Sequence, residues 1–145
     1  MFSKACEYAI RAMVLIAKES KLGRTVSLTE IAMGIDSPPS FTSKVLQMLV
    51  KANLLDSVKG AHGGFRLSPA RIVGITLKDI VHCVDGDSVY LGCGLGLKQC
   101  SEKNPCPFHD SFKKIRDELK IMLEETTLVH LSERLDSGQS ILKRA

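Results

Sequence analysis

The chain has 145 residues, a length that suits one compact domain, and its 44% hydrophobic and 25% charged residues are ordinary for a globular protein. It has no tryptophan, so its core must be built mainly from aliphatic residues, alanine, methionine and five phenylalanines. We find no secretory leader and no membrane span, and we therefore expect a cytoplasmic protein with reduced thiols. Its five cysteines then favour metal binding or redox chemistry over structural disulfides.

The net charge of +4 is distributed unevenly along the chain. Residues 1–75 hold ten Lys/Arg and five Asp/Glu, a balance of +5, whereas residues 76–145 hold ten and eleven, a balance of −1. A polyanion such as DNA would be attracted to the first half. An ordinary solvated surface that happens to be basic is the alternative.

The beginning of the chain predicts two helices. Apolar residues recur at helical spacing over residues 3–20, which predicts the first helix. The capping box at residues 27–30, with Ser27 and Glu30 at its ends, begins a short second helix that ends near Met33. Gly34 predicts a turn after it.

A third predicted helix has an apolar and a polar stripe. Ser37 as N-cap and Pro38 at the first helical position begin this helix, which runs to about residue 52. Its apolar stripe, expected to face the core, consists of Phe41, Val45, Leu49 and Ala52.

Two short extended pieces follow, over residues 55–59 and 65–67, and the three glycines between them predict a flexible β-hairpin. Helix, turn, helix and hairpin outline a winged helix-turn-helix, in which the third helix enters the major groove and the hairpin contacts phosphates or a minor groove. A helical domain with a merely solvated polar stripe is the competing interpretation. The predicted DNA-binding residues are Ser40, Thr42, Ser43, Lys44, Gln47, Lys51, Lys59, His62 and Arg66.

The second half predicts a helix over residues 76–84, an aperiodic segment over 86–107, and a long helix. Apolar residues on the long helix repeat at intervals of four and three, which is typical of a heptad seam. We predict a homodimer interface there, although one amphipathic helix packed on its own domain would have the same pattern. The seam consists of Phe108, Phe112, Ile115, Leu119 and Met122.

The predicted fold class is therefore mainly α. Residues 1–75 form the winged helix-turn-helix region with its two-stranded wing, and residues 76–145 form a cysteine loop and a long C-terminal dimerisation helix. We expect the two regions to make one compact unit.

Three cysteines lie close together in the aperiodic segment, at Cys93, Cys100 and Cys106. Soft thiolates suit the iron of an iron–sulfur cluster, and glycines around Cys93 would let the loop fold tightly. Zinc accepts similar donors. An iron–sulfur cluster, zinc and no metal all stay open from the residues alone.

These features resemble a family of small bacterial winged-helix regulators that includes the iron–sulfur cluster assembly regulator and the nitric-oxide-sensing repressor. The resemblance covers residues 1 to about 136. It implies an all-helical homodimer with a small wing, in which each subunit reads one half-site of a two-fold operator in double-stranded DNA. Its matching segments are Ser3-Lys4, Tyr8-Ala9, Phe41–Gln47, Val50–Ala52, Val58–Gly60, Gly63–Phe65, Ile75–Leu77, Val84–Gly86 and the three cysteines.

The resemblance also implies a [2Fe-2S] or [4Fe-4S] cluster on the three cysteines, although this chain has one extra residue between the first two. It implies His109 as fourth ligand, with Glu7 of the partner subunit as the alternative. The implied function is transcription regulation that responds to redox state, nitric oxide or iron–sulfur status. We find no catalytic dyad or nucleotide fingerprint and expect no enzyme. The alternatives are a cluster-free regulator that responds to a small molecule or partner protein, and a thiol redox or cluster-carrier protein.

Overall fold

The structure is a computed structural model that describes residues 1–144. It confirms the mainly helical class with a small antiparallel two-stranded wing. None of the helices within residues 1–144 combines the length and apolar character that crossing a bilayer requires. The elements in chain order are α1 (Lys4–Lys21), α2 (Leu28–Ile35), α3 (Pro39–Lys51), β1 (Asp56–Val58), β2 (Gly64–Arg66), α4 (Pro69–Gly74), α5 (Leu77–Asp85), α6 (Ser88–Leu91), α7 (His109–Glu125) and α8 (Leu128–Asp136).

Helix α1 lies at the centre of the molecule and packs against α2, α3, α5 and α8. Alanines alternate with larger apolar side chains on its buried surface, which lets the neighbouring helices approach closely. Leu46 from the first half and Leu128 from the second belong to the same buried cluster. Each such fully buried aliphatic side chain contributes about 1.5–3 kcal/mol of hydrophobic stabilisation.

Helix α2 begins as predicted but ends later. The Ser27 hydroxyl accepts a hydrogen bond from the backbone N–H of Glu30 at 3.2 Å. The predicted turn at Gly34 is wrong, because the helix continues to Ile35 and the left-handed residue is Asp36, with φ of 53°. Gly34 serves packing instead, since a Cβ there would lie 2.7 Å from the Leu15 side chain of α1.

Helix α3 begins one residue later than predicted, with Pro38 as N-cap and Pro39 at the first helical position. Its buried stripe consists of Thr42, Val45, Leu46 and Leu49, whereas Phe41 is half-buried and Ala52 is exposed. Thr42 is fully buried, and its hydroxyl donates to the Pro38 carbonyl at 2.7 Å and pairs with the Ser37 hydroxyl. The prediction that Thr42 contacts DNA is therefore wrong.

The wing is a hairpin in which Ser57 of β1 lies opposite Phe65 of β2. Two further backbone hydrogen bonds join it to the strand-like residue before α2: Phe65 donates to Val26 at 2.8 Å, and Val26 donates to Phe65 at 2.9 Å. These bonds fix the wing relative to the helix-turn-helix. Gly64 makes them possible, because a Cβ at this residue would lie 2.2 Å from the Val26 carbonyl oxygen.

Gly64→Ala is expected to reduce the free energy of unfolding by about 2–4 kcal/mol, since it combines backbone strain with loss of the hydrogen bonds to Val26. Urea unfolding followed by circular dichroism measures the change. Gly23→Ala is the matched control, because Gly23 also has a positive φ of 76° but a Cβ there would meet nothing within 4 Å. Equal losses in the two variants would contradict the proposed anchoring of the wing.

The second half packs back onto the first. Helix α5 begins with a capping box between Thr76 and Asp79, and Leu77 donates to the Thr126 carbonyl at 2.9 Å. In return Leu128 donates to the Ile75 carbonyl at 2.9 Å, which joins the start of α5 to the turn between α7 and α8. This junction returns α8 to α1 and brings α7 alongside α5 and α6.

Candidate nucleic-acid interface and cysteine loop

Helix α3 presents a polar face away from the core. Burial of its opposite stripe determines the rotation of the helix, and this rotation leaves Ser40, Lys44, Gln47 and Lys51 exposed, with Ser43 half-buried. The exposed face therefore has small side chains near the start of the helix and longer polar or charged ones further along.

An open groove of about 560 Å³ lies between α3 and the wing, and we name it the α3–wing groove. Within residues 1–144, neither Lys44 nor Lys51 forms an ion pair. The described lining contains no carboxylate, so the groove is electropositive. Its lining residues are Lys44, Gln47, Met48, Val50, Lys51, Ser57 and Phe65.

The wing adds positive charge beside this groove. Lys59, His62 and Arg66 are all exposed. Lys59 and Arg66 have no ion-pair partner in the part of the chain that the structure describes. Their positive charge is therefore not neutralised by a carboxylate of the described residues.

The cysteine loop, residues 92–108, brings the predicted metal ligands together as two pairs. The sulfur atoms of Cys93 and Cys106 lie 3.8 Å apart. The sulfur of Cys100 lies 3.3 Å from Nδ1 of His109, the first residue of α7. Across residues 1–144, no group of three or more His, Cys, Asp or Glu side chains is arranged to hold one metal ion.

The spacing within the first pair suits two ligands of one metal. A tetrahedral ion with metal–sulfur bonds of about 2.3 Å places two thiolates about 3.8 Å apart. The N–H of Leu95, followed by that of Leu97, holds the pKa of Cys93 below its ordinary value, which favours the thiolate. The donor set of three sulfur atoms and one imidazole is of the chemical type that iron–sulfur clusters and zinc accept, although here the donors lie as two pairs.

The predicted seam of α7 is divided between two faces. Phe108, Ile115 and Met122 are 44%, 65% and 43% exposed and form a ridge on the outer side of α7, and the Phe108 ring also stacks on Phe112 beside Gly94. Leu119 instead packs on the domain's own core, and Phe112 lies against the cysteine loop at Gly94. The ridge is the part of the seam available to a second copy, and the homodimer interface stays a prediction.

Comparison with known proteins identifies the family. The profile of the Rrf2 family, described as iron-dependent transcriptional regulators, matches residues 2–134. This chain belongs to the Rrf2 family. A protein of Aquifex aeolicus described as a helix-turn-helix-type transcriptional regulator is 32% identical over 135 residues, which is 90% of either chain. The Rrf2 protein is therefore a transcriptional regulator and not an enzyme.

Solved structures share its fold. CymR of Bacillus subtilis, described as the global cysteine regulator of that organism, superposes with a TM-score of 0.75 at 25% identity. The superposition covers 92% of this chain and 96% of CymR. IscR of T. potens has a TM-score of 0.75 at 21% identity over 100% of this chain and 93% of IscR, and this likeness shows the fold alone.

The remaining thiols of the Rrf2 protein lie away from the cysteine loop. Cys6 of α1 is fully buried; burial, followed by the nearby Asp85 carboxylate, raises its pKa to about 12. Burial also raises the pKa of Cys83. Both are poor nucleophiles and metal ligands in this state. Glu7, the alternative ligand, forms an ion pair with Lys4 at 3.0 Å.

One residue beside the cysteine loop carries no recognisable sequence signal. Arg116 of α7 is buried and donates from Nη1 to the carbonyls of Gly92 at 2.9 Å and Leu91 at 3.3 Å. Arginine on a predicted long helix is ordinarily a solvated residue, so hydropathy gives no reason to select it. Its spacing of seven from both His109 and Leu123 places all three on the buried face of α7.

Proposed function

We propose that this Rrf2 protein is a cytoplasmic, homodimeric DNA-binding regulator that senses redox state, nitric oxide or iron–sulfur status through its cysteine loop. The observation that carries the DNA-binding part is the electropositive α3–wing groove. The sensing part is supported by four soft or borderline donors in and beside the loop, which lie as two pairs, Cys93 with Cys106 and Cys100 with His109.

The proposed DNA contacts come from α3 in the major groove and from the wing at the backbone or minor groove. Lys44 and Gln47 contact base edges or phosphates in the major groove, while Ser40 and Ser43 let the helix approach. Lys51 neutralises a phosphate at the groove margin. The wing residues Lys59, His62 and Arg66 contact the backbone or the adjacent minor groove.

The proposed dimer pairs the exposed ridge of α7 with its copy. Three large apolar side chains one heptad apart, at Phe108, Ile115 and Met122, form a continuous strip that water solvates poorly. A two-fold axis through this strip would place one α3 on each half-site of a two-fold operator.

The proposed sensor joins the loop to α7. Cys93, Cys100, Cys106 and His109 would hold an iron–sulfur cluster, which would supply a redox-active group at this loop. Cys106 and His109 flank the start of α7, so holding them fixes the beginning of the dimerisation helix. The loop thereby biases the distance and tilt between the two copies of α3. A group bound to the loop can regulate DNA binding only if it binds the two conformations of the dimer with unequal affinity.

Operator binding by cluster-loaded and cluster-free protein tests this proposal. Protein prepared without oxygen is expected to be brown and to contain iron and acid-labile sulfide. The loaded and free forms are expected to differ in operator affinity by about 5–150-fold, the range of a typical allosteric coupling. Equal affinities at matched salt would leave any bound metal with a structural role. A colourless preparation with one zinc per chain would refute the cluster.

A second candidate is a cluster-free thiol or small-molecule regulator. It is favoured by the arrangement of the donors as two separate pairs and by the 25% identity to a cysteine regulator. Iron and sulfide analysis distinguishes the candidates. Operator binding that responds to thiol oxidation or a small molecule in iron-free protein would support the second.

Lys44→Ala and Gln47→Ala are each expected to weaken specific operator binding by about 1–3 kcal/mol if they reach base edges. Arg66→Ala is expected to weaken binding to all sequences and to reduce the salt slope by about one. Fluorescence anisotropy with operator and scrambled duplexes, at several salt concentrations, measures both effects. Arg134→Ala, an exposed cation on α8, is the control and should change neither. Unchanged affinity in all three variants would remove this surface from the DNA interface.

A further inference from the structure

A buried cation, Arg116, lies next to the residues that precede Cys93. Arg116 is 7% exposed, and its hydrogen bonds to the Leu91 and Gly92 carbonyls hold the end of α6 and the residue before Cys93. Its Nε is buried and has no hydrogen-bond partner within residues 1–144. Buried arginines are ordinarily paired and fully hydrogen-bonded, so this guanidinium is incompletely satisfied.

The charge of Arg116 is also incompletely compensated. The carboxylate paired with it belongs to Asp117, 3.7 Å from Nη2, and that side chain is 46% exposed. Asp117 also accepts a hydrogen bond from Lys113 at 2.7 Å, so its negative charge is shared. The backbone carbonyls at Arg116 are neutral dipoles. The site therefore favours additional negative charge nearby.

An occupied cysteine loop would supply that charge. Three thiolates and a neutral imidazole around a doubly positive metal ion or cluster core leave a net negative charge. We propose that Arg116 is the positioning residue and counter-ion of the cysteine loop: it holds residues 91–92 so that Cys93 faces the site, and it stabilises an anionic metal–thiolate group there. This inference rests on the proposed sensing function. It adds a residue outside the ligand set that connects the site to α7.

Two substitutions separate charge from packing. Arg116→Met keeps much of the length and removes the charge, whereas Arg116→Lys keeps the charge and one set of donors. Lys114→Met, on an exposed position of α7, is the matched control. Each protein is loaded anaerobically with ferrous iron and sulfide, and cluster loss to a chelator is followed by its visible absorbance.

Cluster loss is expected to be about 10–100-fold faster in Arg116→Met than in the unmodified protein, the usual effect of removing an outer-shell partner. Arg116→Lys should restore most of the difference, and Lys114→Met should match the unmodified protein. The thermal midpoint of metal-free Arg116→Met should change little, because removing an incompletely compensated buried charge offsets the loss of the hydrogen bonds to the Leu91 and Gly92 carbonyls. Rescue of cluster retention by lysine, with little change in stability, is not expected of a space-filling residue.

Hydrogen exchange in metal-free protein tests positioning without any cluster. Peptides covering residues 88–100 should exchange about tenfold faster in Arg116→Met, since α6 loses its charged donor, with no change in peptides from α3. Equal exchange and equal cluster loss in Arg116→Met and unmodified protein would overturn the inference, as would failure of lysine to rescue cluster retention. If unmodified protein takes up no iron, the proposed sensing function fails, and faster exchange would still support Arg116 as the residue that positions the loop.

Discussion

An anaerobic preparation of Cys93→Ala, Cys100→Ala or Cys106→Ala is expected to be colourless and to lose most of its iron and sulfide. Two remaining thiolates provide too few soft donors for a stable cluster. Visible absorption with iron and acid-labile sulfide analysis measures the loss. Cys6→Ala and Cys83→Ala are the matched controls, because burial raises the pKa of both thiols and both lie outside the loop. Full retention of iron by all three loop variants would contradict the assigned ligands.

Within this series, His109→Ala is expected to keep a labile or spectrally altered cluster. Imidazole is the more exchangeable ligand, and its Nδ1 lies beside the Cys100 sulfur. Glu7→Ala should retain the unmodified spectrum. Greater damage from Glu7→Ala would transfer the fourth position to the partner subunit's α1.

Ile115→Glu is expected to convert the dimer into a folded monomer. Ile115 is the most exposed member of the α7 ridge, so a glutamate there is tolerated in one chain but becomes an unpaired buried charge in the dimer. The cost is about 3–5 kcal/mol, or more than about 100-fold in the dissociation constant. Sedimentation velocity at micromolar concentration measures the change.

Val73→Glu, a similar substitution at a 68% exposed position on α4, is the control and should stay dimeric. Leu119 is a poorer site for this test, because its side chain packs on the domain's own core and a charge there would also unfold the chain. A monomeric unmodified protein, or an unaffected dimer of Ile115→Glu, would eliminate the ridge as the dimer interface.

The fold of residues 1–75 could be predicted because its helix caps and turns are encoded by residues close together in the sequence. Ser27 and Glu30 form a recognisable cap, and the glycine-rich hairpin separates two short extended pieces. Thr42 was assigned incorrectly because residue type was given more weight than position. Thr42 lies three residues before Val45 and seven before Leu49, which places it on the buried stripe. A buried threonine hydroxyl can donate a hydrogen bond to a backbone carbonyl of the preceding helical turn, as Thr42 does to Pro38.

The second half was harder to predict because part of the buried face of α7 is polar. The inward face of α7 carries His109 and Arg116 together with Leu123, so hydropathy selects the exposed ridge and overlooks the packed face. The short helices α4 and α8 have local signals in Ser68 with Pro69 and in Thr127, but neither has a long periodic segment. The pairing within the cysteine loop depends on tertiary contacts and could not be read from spacing.

Because α1 packs against helices from both halves of the chain, we expect the two halves to fold and unfold together. Cutting the chain near residue 75 would expose an apolar surface on each fragment, so neither fragment is expected to fold alone. A transfer of residues 1–75 to another protein would therefore have to include α5 and α8. A ligand that binds the cysteine loop of the folded protein is therefore expected to stabilise the whole chain. At a free concentration one hundred times its dissociation constant it would add about 2.7 kcal/mol, and the amides of α3 should acquire that protection although they never touch it.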